Sequence, residues 1–223
     1  MDTIYRGDIS SRRGRRNAWI DSLFVDHALL RLGWSNFAAV TPGRLYRCNH
    51  PTPGRLARLT RGLGLRTLIN LRGACANGSD ALSREAAHRL HLNFIDVPMQ
   101  SGRAPPRELL LELIAALRAA AEPTLLHCKS GADRAGFAAG VFLLLNGGSV
   151  MDALGQLSWR FGHLRGSRTG VLDVVLIAYG REAAAHAGFA EWVRDGYNPA
   201  AVTAEFASGK VARFLNDKVL GRE

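Results

Sequence analysis

The stretch PTLLHCKSGADRAGFAAGVFLLL, residues 123–145, predicts a strand that runs directly into a helix. Its first part is an apolar run of strand length, and its last part is an apolar run long enough for a buried helix. Between these runs stand the thiol of Cys128, the cations of Lys129 and Arg134, and the permissive backbone of Gly131. In open α/β sheets, the carboxyl end of a strand is where ligands bind.

Segments of strand and helix character alternate through the rest of the chain. NFAAVTPGRLYRCN predicts two short strands around a turn, and RTLINLRG and LNFIDVPM predict one strand each. SDALSREAAHRL predicts a helix capped by Ser79 or Asp80, and PPRELLLELIAALRAAA predicts another with leucines at helical spacing. The sequence therefore predicts an α/β fold whose mainly parallel central sheet is flanked by helices on both faces.

The loop between the strand and the helix of residues 123–145 has the composition of a phosphate site. Gly131 permits a backbone conformation that a Cβ would obstruct, so the N–H groups of residues 129–134 can point at one centre. The dipole of the following helix favours an anion there and also favours the thiolate of Cys128. Arg134 can hold two phosphate oxygens. Because a thiolate among such amides can attack phosphorus in line, the loop predicts covalent phosphoryl transfer.

Composition fits one domain in the cytoplasm. The 223 residues, 47% hydrophobic and 22% charged, are ample for a core. No apolar run reaches the roughly 18 residues that span a membrane, and no secretory signal is recognisable. The cysteines suggest no disulfide framework, so we expect reduced thiols and a cytoplasmic location. Histidines without metal-ligand spacing predict no metal site.

The formal net charge of +10 favours anionic partners, although an arginine-rich genome would explain the charge equally well. Suitable partners are a phosphorylated small molecule, a lipid headgroup or a phosphoprotein, and peripheral contact with an anionic membrane is compatible with the charge. Nucleic acid is not expected, because aromatic and basic residues are not interleaved. The cluster Arg12, Arg13, Arg15 and Arg16 predicts a solvated, mobile arm.

The spacing Cys-x5-Arg, written here as HCKSGADRAG, resembles the signature loop of the cysteine-dependent protein tyrosine and dual-specificity phosphatase superfamily. Residues 36–73 are similar to the amino-terminal half of its compact, atypical dual-specificity branch, and QLSWRFGH is similar to a helix of bacterial members. The resemblance implies three regions: a basic arm with an amphipathic lead-in (1–33), a phosphatase domain (34–187) and a carboxyl-terminal helical extension (188–223).

The resemblance further implies hydrolysis of phosphate monoesters through a phosphocysteine intermediate, with no cofactor. Cys128 would be the nucleophile and Arg134 the phosphate clamp. The phosphate-binding loop would comprise Lys129, Ser130, Gly131, Ala132, Asp133 and Arg134. The alternative is a catalytically weak phosphate-binding module, because the segment MQSGRAPP, which usually carries the acid, has no carboxylate.

Three residues compete for the role of the proton donor. Asp96, in NFIDVPM, is assigned as the catalytic acid, although it also suits a strand end bonded to the backbone. Asp133 lies inside the loop beside the bound dianion, which would favour its protonated form. Glu108 opens a helix, where a carboxylate complements the dipole. Ala135 replaces the usual Ser or Thr whose hydroxyl helps the thiolate leave, so hydrolysis of the phosphoenzyme could be slower.

Lys129 bears on the substrate class. A lysine directly after the cysteine resembles superfamily members that act on inositol or lipid phosphates. Together with Arg72 and Arg103 it would supply more charge than one phosphate requires, which favours a multiply anionic substrate over a phosphotyrosine or phosphoserine protein. The alternatives are that Lys129 points to solvent or pairs with a local carboxylate, and that Arg72 is bonded structurally.

Overall fold

Five strands form one sheet in the computed structural model, which describes residues 4–31 and 33–209. They are β1 (Ala38–Thr41), β2 (Leu45–Cys48), β3 (Thr67–Asn70), β4 (Asn93–Asp96) and β5 (Thr124–His127). Their order across the sheet is β1-β2-β5-β3-β4. β1 runs antiparallel to β2, and the other neighbours pair in parallel. The predicted α/β class with a mainly parallel central sheet is confirmed.

Helices separate and follow these strands. They are α1 (Arg12–Ile20), α2 (Ala28–Arg31), α3 (Pro53–Leu63), α4 (Gly78–Arg89), α5 (Arg107–Ala119), α6 (Asp133–Leu145), α7 (Val150–Gly155), α8 (Val171–Glu182), α9 (Phe189–Asp195) and α10 (Pro199–Ala207). Within the described residues, none combines the length and apolar character that a membrane crossing needs. The end of the predicted carboxyl-terminal extension, 210–223, lies outside the described residues.

The cap of α4 differs from the prediction. Asn77 is the capping residue, and its side chain accepts a hydrogen bond from the backbone N–H of Asp80. Asp80 lies in the first turn instead, where its carboxylate accepts a hydrogen bond from Arg84 at 2.8 Å. Asparagine and aspartate are about equally good caps, so the sequence around the helix start did not distinguish them.

The described chain divides into two compact units. The first comprises the residues up to Met99 together with Ala116–Ala135, and it holds the whole sheet. The second comprises Gln100–Ala115 and the residues from Gly136 onward. Within the second unit α8 packs against α7 and α10. There Nε2 of the buried His163 lies 2.6 Å from Oδ2 of the buried Asp173, within hydrogen-bond distance.

The register of the sheet brings polar residues to one edge. β2, β3 and β5 are buried at every position, as expected of central strands in a parallel sheet. Asn70, the last residue of β3, pairs with His127 on one side and with Asp96 on the other. Cys48 pairs with His127 from β2. The loop that carries the nucleophile candidate therefore leaves the sheet among the ends of three neighbouring strands.

The amino-terminal arm is a docked helix, although Arg12, Arg13 and Arg16 are exposed, as predicted for a solvated cluster. α1 contacts α4, and the guanidinium of Arg15 lies 2.5 Å from the carboxylate of Glu85. The carboxylate of Asp21 accepts hydrogen bonds from the backbone N–H groups of Ile4 at 3.0 Å and Gly78 at 2.7 Å. The prediction of an undocked arm was wrong, because the carboxylate that pairs with Arg15 comes from a distant part of the sequence.

Candidate active site

The loop after β5 turns its carbonyl oxygens toward the surrounding protein. The carbonyl of Lys129 accepts a hydrogen bond from the backbone N–H of His50 at 3.3 Å. The carbonyl of Ser130 accepts one from Nδ2 of the buried Asn36 at 3.0 Å. Because a trans peptide unit is planar, the N–H that follows each carbonyl points in the opposite direction. These contacts therefore direct the loop amides toward its centre.

Arg47 holds the next two carbonyls and is a residue that the sequence analysis did not single out. Its side chain is fully buried, and Nη2 donates to the carbonyls of Gly131 at 2.7 Å and Ala132 at 2.9 Å. Burial lowers the pKa of the guanidinium to about 10, which leaves it charged at neutral pH. The sequence did contain a signal for this contact, because an arginine inside the otherwise apolar strand β2 requires buried hydrogen-bond acceptors.

Gly131 adopts the conformation expected of it. Its φ is +77°, and a Cβ at this position would lie 2.6 Å from the backbone nitrogen of Asn49 and 2.7 Å from the carbonyl carbon of Cys48. Only glycine fits this approach of the loop to the end of β2. The N–H of Gly131 lies 3.1 Å from Sγ of Cys128, which places the thiol at the centre of the loop.

Arg134 lies beside the loop in the first turn of α6. One of its nitrogens, Nη1, is 3.3 Å from the carbonyl of Met99 and 3.5 Å from that of Leu71. Neutral carbonyls fix the direction of the guanidinium without neutralising its charge. Asp133 is the first residue of α6 and is half-buried. Arg134 and the loop amides thus provide positive potential around Cys128.

The cations next to the loop are paired with an aspartate of the arm. The guanidinium of Arg72 binds both oxygens of Asp26, at 2.9 Å and 2.7 Å. Nζ of Lys129 lies 3.6 Å from one of the same oxygens. Of the alternatives considered for these two side chains, the structure shows that Lys129 contacts a local carboxylate and that Arg72 is bonded to the protein itself.

Asp96 stands at the end of β4 with both carboxylate oxygens bound. One accepts a hydrogen bond from Nδ2 of Asn70 at 2.8 Å, and the other from Nη2 of Arg84 at 2.7 Å. Both oxygens are thus engaged with donors of the protein, whereas a general acid must present an oxygen to the leaving group of the substrate. β3 also separates β4 from the strand that leads to Cys128. Both observations weigh against Asp96 as the proton donor.

The other candidates fall into different places. Glu108 lies in α5, and Arg103 precedes that helix, so both belong to the second compact unit. The loop, Arg72 and Asp96 belong to the first. Cys48 and Cys75 are free thiols outside the loop, and burial raises the pKa of Cys48, which keeps it protonated. Cys128 is therefore the thiol that the fold surrounds with backbone amides.

His127 precedes the nucleophile candidate and is wholly buried. Its ring meets that of His50 edge to face, with centroids 4.7 Å apart. Burial, assisted by the charges of His50 and Arg72, lowers the pKa of His127 well below its ordinary value. The imidazole is thus neutral at neutral pH and acts as a packed ring at the base of the loop.

Comparison with known proteins agrees with this geometry. Residues 50–139 match a family model described as the phosphatase-like domain of beta-lactamase hydrolase-like proteins. The matched segment contains Cys128 and Arg134 and lies inside the predicted domain of residues 34–187. No curated protein matches the chain in sequence. The family match confirms the resemblance drawn from the Cys-x5-Arg spacing.

Solved structures share the fold. TpbA from P. aeruginosa has 21% sequence identity and a TM-score of 0.51, with 78% of this chain and 91% of that chain covered. The core catalytic domain of the PP-IP phosphatase SIW14 from S. cerevisiae, solved with citrate, has 21% identity and a TM-score of 0.51 over 66% of this chain and 93% of that chain. A mutant form of Tk-PTP has 18% identity and a TM-score of 0.53 over 67% and 97%.

The neutral state of His127 predicts a pH-dependent stability. In the unfolded chain a histidine takes up a proton below about pH 6.5, whereas folded His127 resists protonation. The free energy of unfolding should therefore fall with decreasing pH below that value, by about 1.4 kcal/mol per pH unit from this group. Urea unfolding of the wild type and of His127→Gln at a series of pH values measures the slope. An equal slope in both proteins would contradict the assignment.

Replacement of Arg47 tests how the loop is held. Arg47→Met leaves two carbonyls without their charged donor, so affinity for inorganic phosphate should fall about ten- to a hundredfold. Arg44→Met is the matched control, because the ion pair of Arg44 with Glu122 is half-exposed and its loss should change the affinity little. Calorimetric titration with phosphate gives both values. Similar losses in the two variants would show that the buried contacts of Arg47 do not organise the loop.

Proposed function

Because residues 50–139 match a phosphatase-like domain and the chain has the fold of cysteine-dependent phosphatases, we propose that it hydrolyses phosphate monoesters through a phosphocysteine intermediate. The observation that carries the proposal is the 3.1 Å contact between the N–H of Gly131 and Sγ of Cys128. This contact supports the proposal, because a thiol bonded to a loop amide would face a phosphoryl group held by the same amides. A phosphorylated small molecule, a lipid headgroup and a phosphoprotein all present that group.

In the first step the thiolate of Cys128 attacks phosphorus. The S–P bond forms while the bond from phosphorus to the leaving oxygen breaks on the opposite side. The loop amides and Arg134 bind the phosphoryl oxygens and stabilise their charge in the transition state. An aryl oxygen leaves as a stable anion, whereas an alkyl oxygen needs a proton as the bond breaks.

In the second step water attacks the phosphocysteine, phosphate departs and the thiolate is regenerated. The buried Ala135 offers no hydroxyl to the departing sulfur. The charge that returns to Sγ is stabilised by loop amides such as that of Gly131 and by Arg134. We therefore propose that hydrolysis of the intermediate limits turnover. The chemistry needs a reduced thiol, which favours the reducing cytoplasm as its location.

A phosphate-binding module without catalysis is the competing proposal. Such a module needs the amides and the arginine but has no use for a thiol in van der Waals reach of the bound phosphorus. The central position of Cys128 favours the enzyme for this reason. Turnover of an aryl phosphate by the purified protein without added metal distinguishes the two functions.

The nucleophile is tested by Cys128→Ser. Turnover of p-nitrophenyl phosphate should fall below a few per cent of the wild type, because a serine hydroxyl at this position is not ionised at neutral pH. Phosphate affinity should survive, since the amides and Arg134 remain. Arg134→Lys should lose both, because an ammonium cannot make the two-pronged contact. Cys75→Ser is the matched control and should turn over like the wild type; substantial activity in Cys128→Ser would refute the mechanism.

The proton donor is tested with leaving groups of different basicity. If Asp96 were the acid, Asp96→Asn would slow alkyl phosphates far more than aryl phosphates. We expect equal, small effects on both, because the carboxylate is engaged with Arg84 and Asn70. Asp133→Asn should then produce the selective loss on alkyl phosphates if Asp133 donates. Measurements of kcat/KM for both substrate types identify the proton donor. A selective loss on alkyl phosphates in Asp96→Asn would assign that role to Asp96.

A further inference from the structure

The amino-terminal arm brings a carboxylate to the border of the phosphate loop. Asp26 is 6% exposed and lies within the first compact unit, as the loop does. Arg72, its bidentate partner, follows Leu71, whose backbone N–H donates to the carbonyl of His127 at 2.9 Å. Lys129, its second partner, directly follows Cys128. Arg72, which follows a residue bonded to β5, and Lys129, which follows the nucleophile, thus converge on one internal anion.

We propose that Asp26 is a specificity-determining residue that selects substrates with a single phosphate. Its carboxylate fills the position at which Arg72 and Lys129 would otherwise hold a second phosphate beside the transferred one. A doubly phosphorylated substrate must displace this carboxylate, whereas a monophosphate leaves it in place. The inference rests on the proposed phosphatase function and deepens it by naming the substrate class.

The arrangement exceeds what a structural ion pair requires. Arg72 alone occupies both oxygens of Asp26, and its Nη1 also lies 3.2 Å from Nδ1 of His50. Lys129 nevertheless brings its ammonium to 3.6 Å from the same carboxylate, although the residue is exposed and solvent would accept it. The lysine ammonium next to the nucleophile is thus engaged with the carboxylate, so a second anion has to compete with Asp26 for it.

The carboxylate is held in place by contacts that a substrate does not touch. The arm is docked on α4 through Arg15 and through the backbone contacts of Asp21. The backbone N–H of Asp26 donates to the carbonyl of Asp21 at 2.9 Å, at the end of a π-helical turn over Asp21–Val25. Asp26 is thereby presented by a fixed segment, so a competing phosphate gains no help from movement of the arm.

Binding of inorganic phosphate and pyrophosphate tests the proposal. We would titrate both anions into the Cys128→Ser protein, in which no turnover interferes, and compare the two dissociation constants. Adding Asp26→Asn removes the carboxylate that Arg72 and Lys129 both contact, so affinity for pyrophosphate should rise at least about tenfold relative to phosphate. Glu122→Gln is the matched control, since it removes one negative charge from a carboxylate that pairs with Arg44 and not with Arg72, Lys129 or the arm. Its affinity ratio should stay unchanged.

A second substitution covers the case in which Asp26→Asn fails to fold. Lys129→Met alone should leave the affinity ratio unchanged, because the ammonium is already engaged with Asp26 and not with the substrate. A tenfold or larger loss of preference for pyrophosphate in that variant would mean that Lys129 reads a second phosphate, and the proposal would be overturned. In the presence of Asp26→Asn the same change should cancel the gain.

The outcomes separate this inference from the proposed function. No shift in the ratio with Asp26→Asn, or an equal shift with Glu122→Gln, overturns the selection by Asp26 while leaving the phosphatase intact. Absence of phosphate binding in the Cys128→Ser protein contradicts the phosphate loop itself, and both proposals then fall together.

Discussion

The site depends on the hydrogen bonds that the carbonyls of four successive loop residues, 129–132, accept from the protein around the loop. A loop can direct its amides at an anion only if its carbonyl oxygens have partners on the other side, because an unpaired buried carbonyl is costly. Here a backbone N–H, an amide side chain and one guanidinium meet that demand. The inner surface of the loop is thereby left with donors only. Phosphate affinity is thus a consequence of the hydrogen bonds that the carbonyls on the outer side of the loop accept.

The sheet supplies one of those partners through its register. β2 lies next to β5 with Arg47 opposite Leu126, and shifting β2 by one residue would turn Arg47 to the other face of the sheet. Arg47 reaches the loop only in this register, and Gly131 approaches the end of β2 so closely that a side chain would collide. Burying an arginine costs several kcal/mol unless its hydrogen bonds are made. The loop and the strand therefore each require the other's conformation.

The sequence was sufficient to predict the local features of the fold and the site. Alternating apolar segments predicted the strands, and the Cys-x5-Arg spacing at a strand–helix junction predicted which thiol and which arginine would share a loop. Partners that lie far apart in sequence were not predictable. Arg47 binds carbonyls more than 80 residues away, and Arg15 finds Glu85 across 70 residues. A basic cluster read by itself looks solvated, because its counter-charge appears only after folding.

The docked arm connects stability with chemistry. Asp21 and Asp26 lie five residues apart at the two ends of a π-helical turn, and their carboxylates have different neighbours: the start of α4 for Asp21 and the cations beside the loop for Asp26. In a regular α-helix a residue five positions on is rotated by about 140° from the first, whereas the hydrogen bond from the N–H of Asp26 to the carbonyl of Asp21 brings the two residues closer to one side of the turn. Segments of this kind recur at functional sites because their wider turn is retained only where it places a group usefully. The same few residues that fasten the arm thereby determine how much positive charge the loop can offer a substrate.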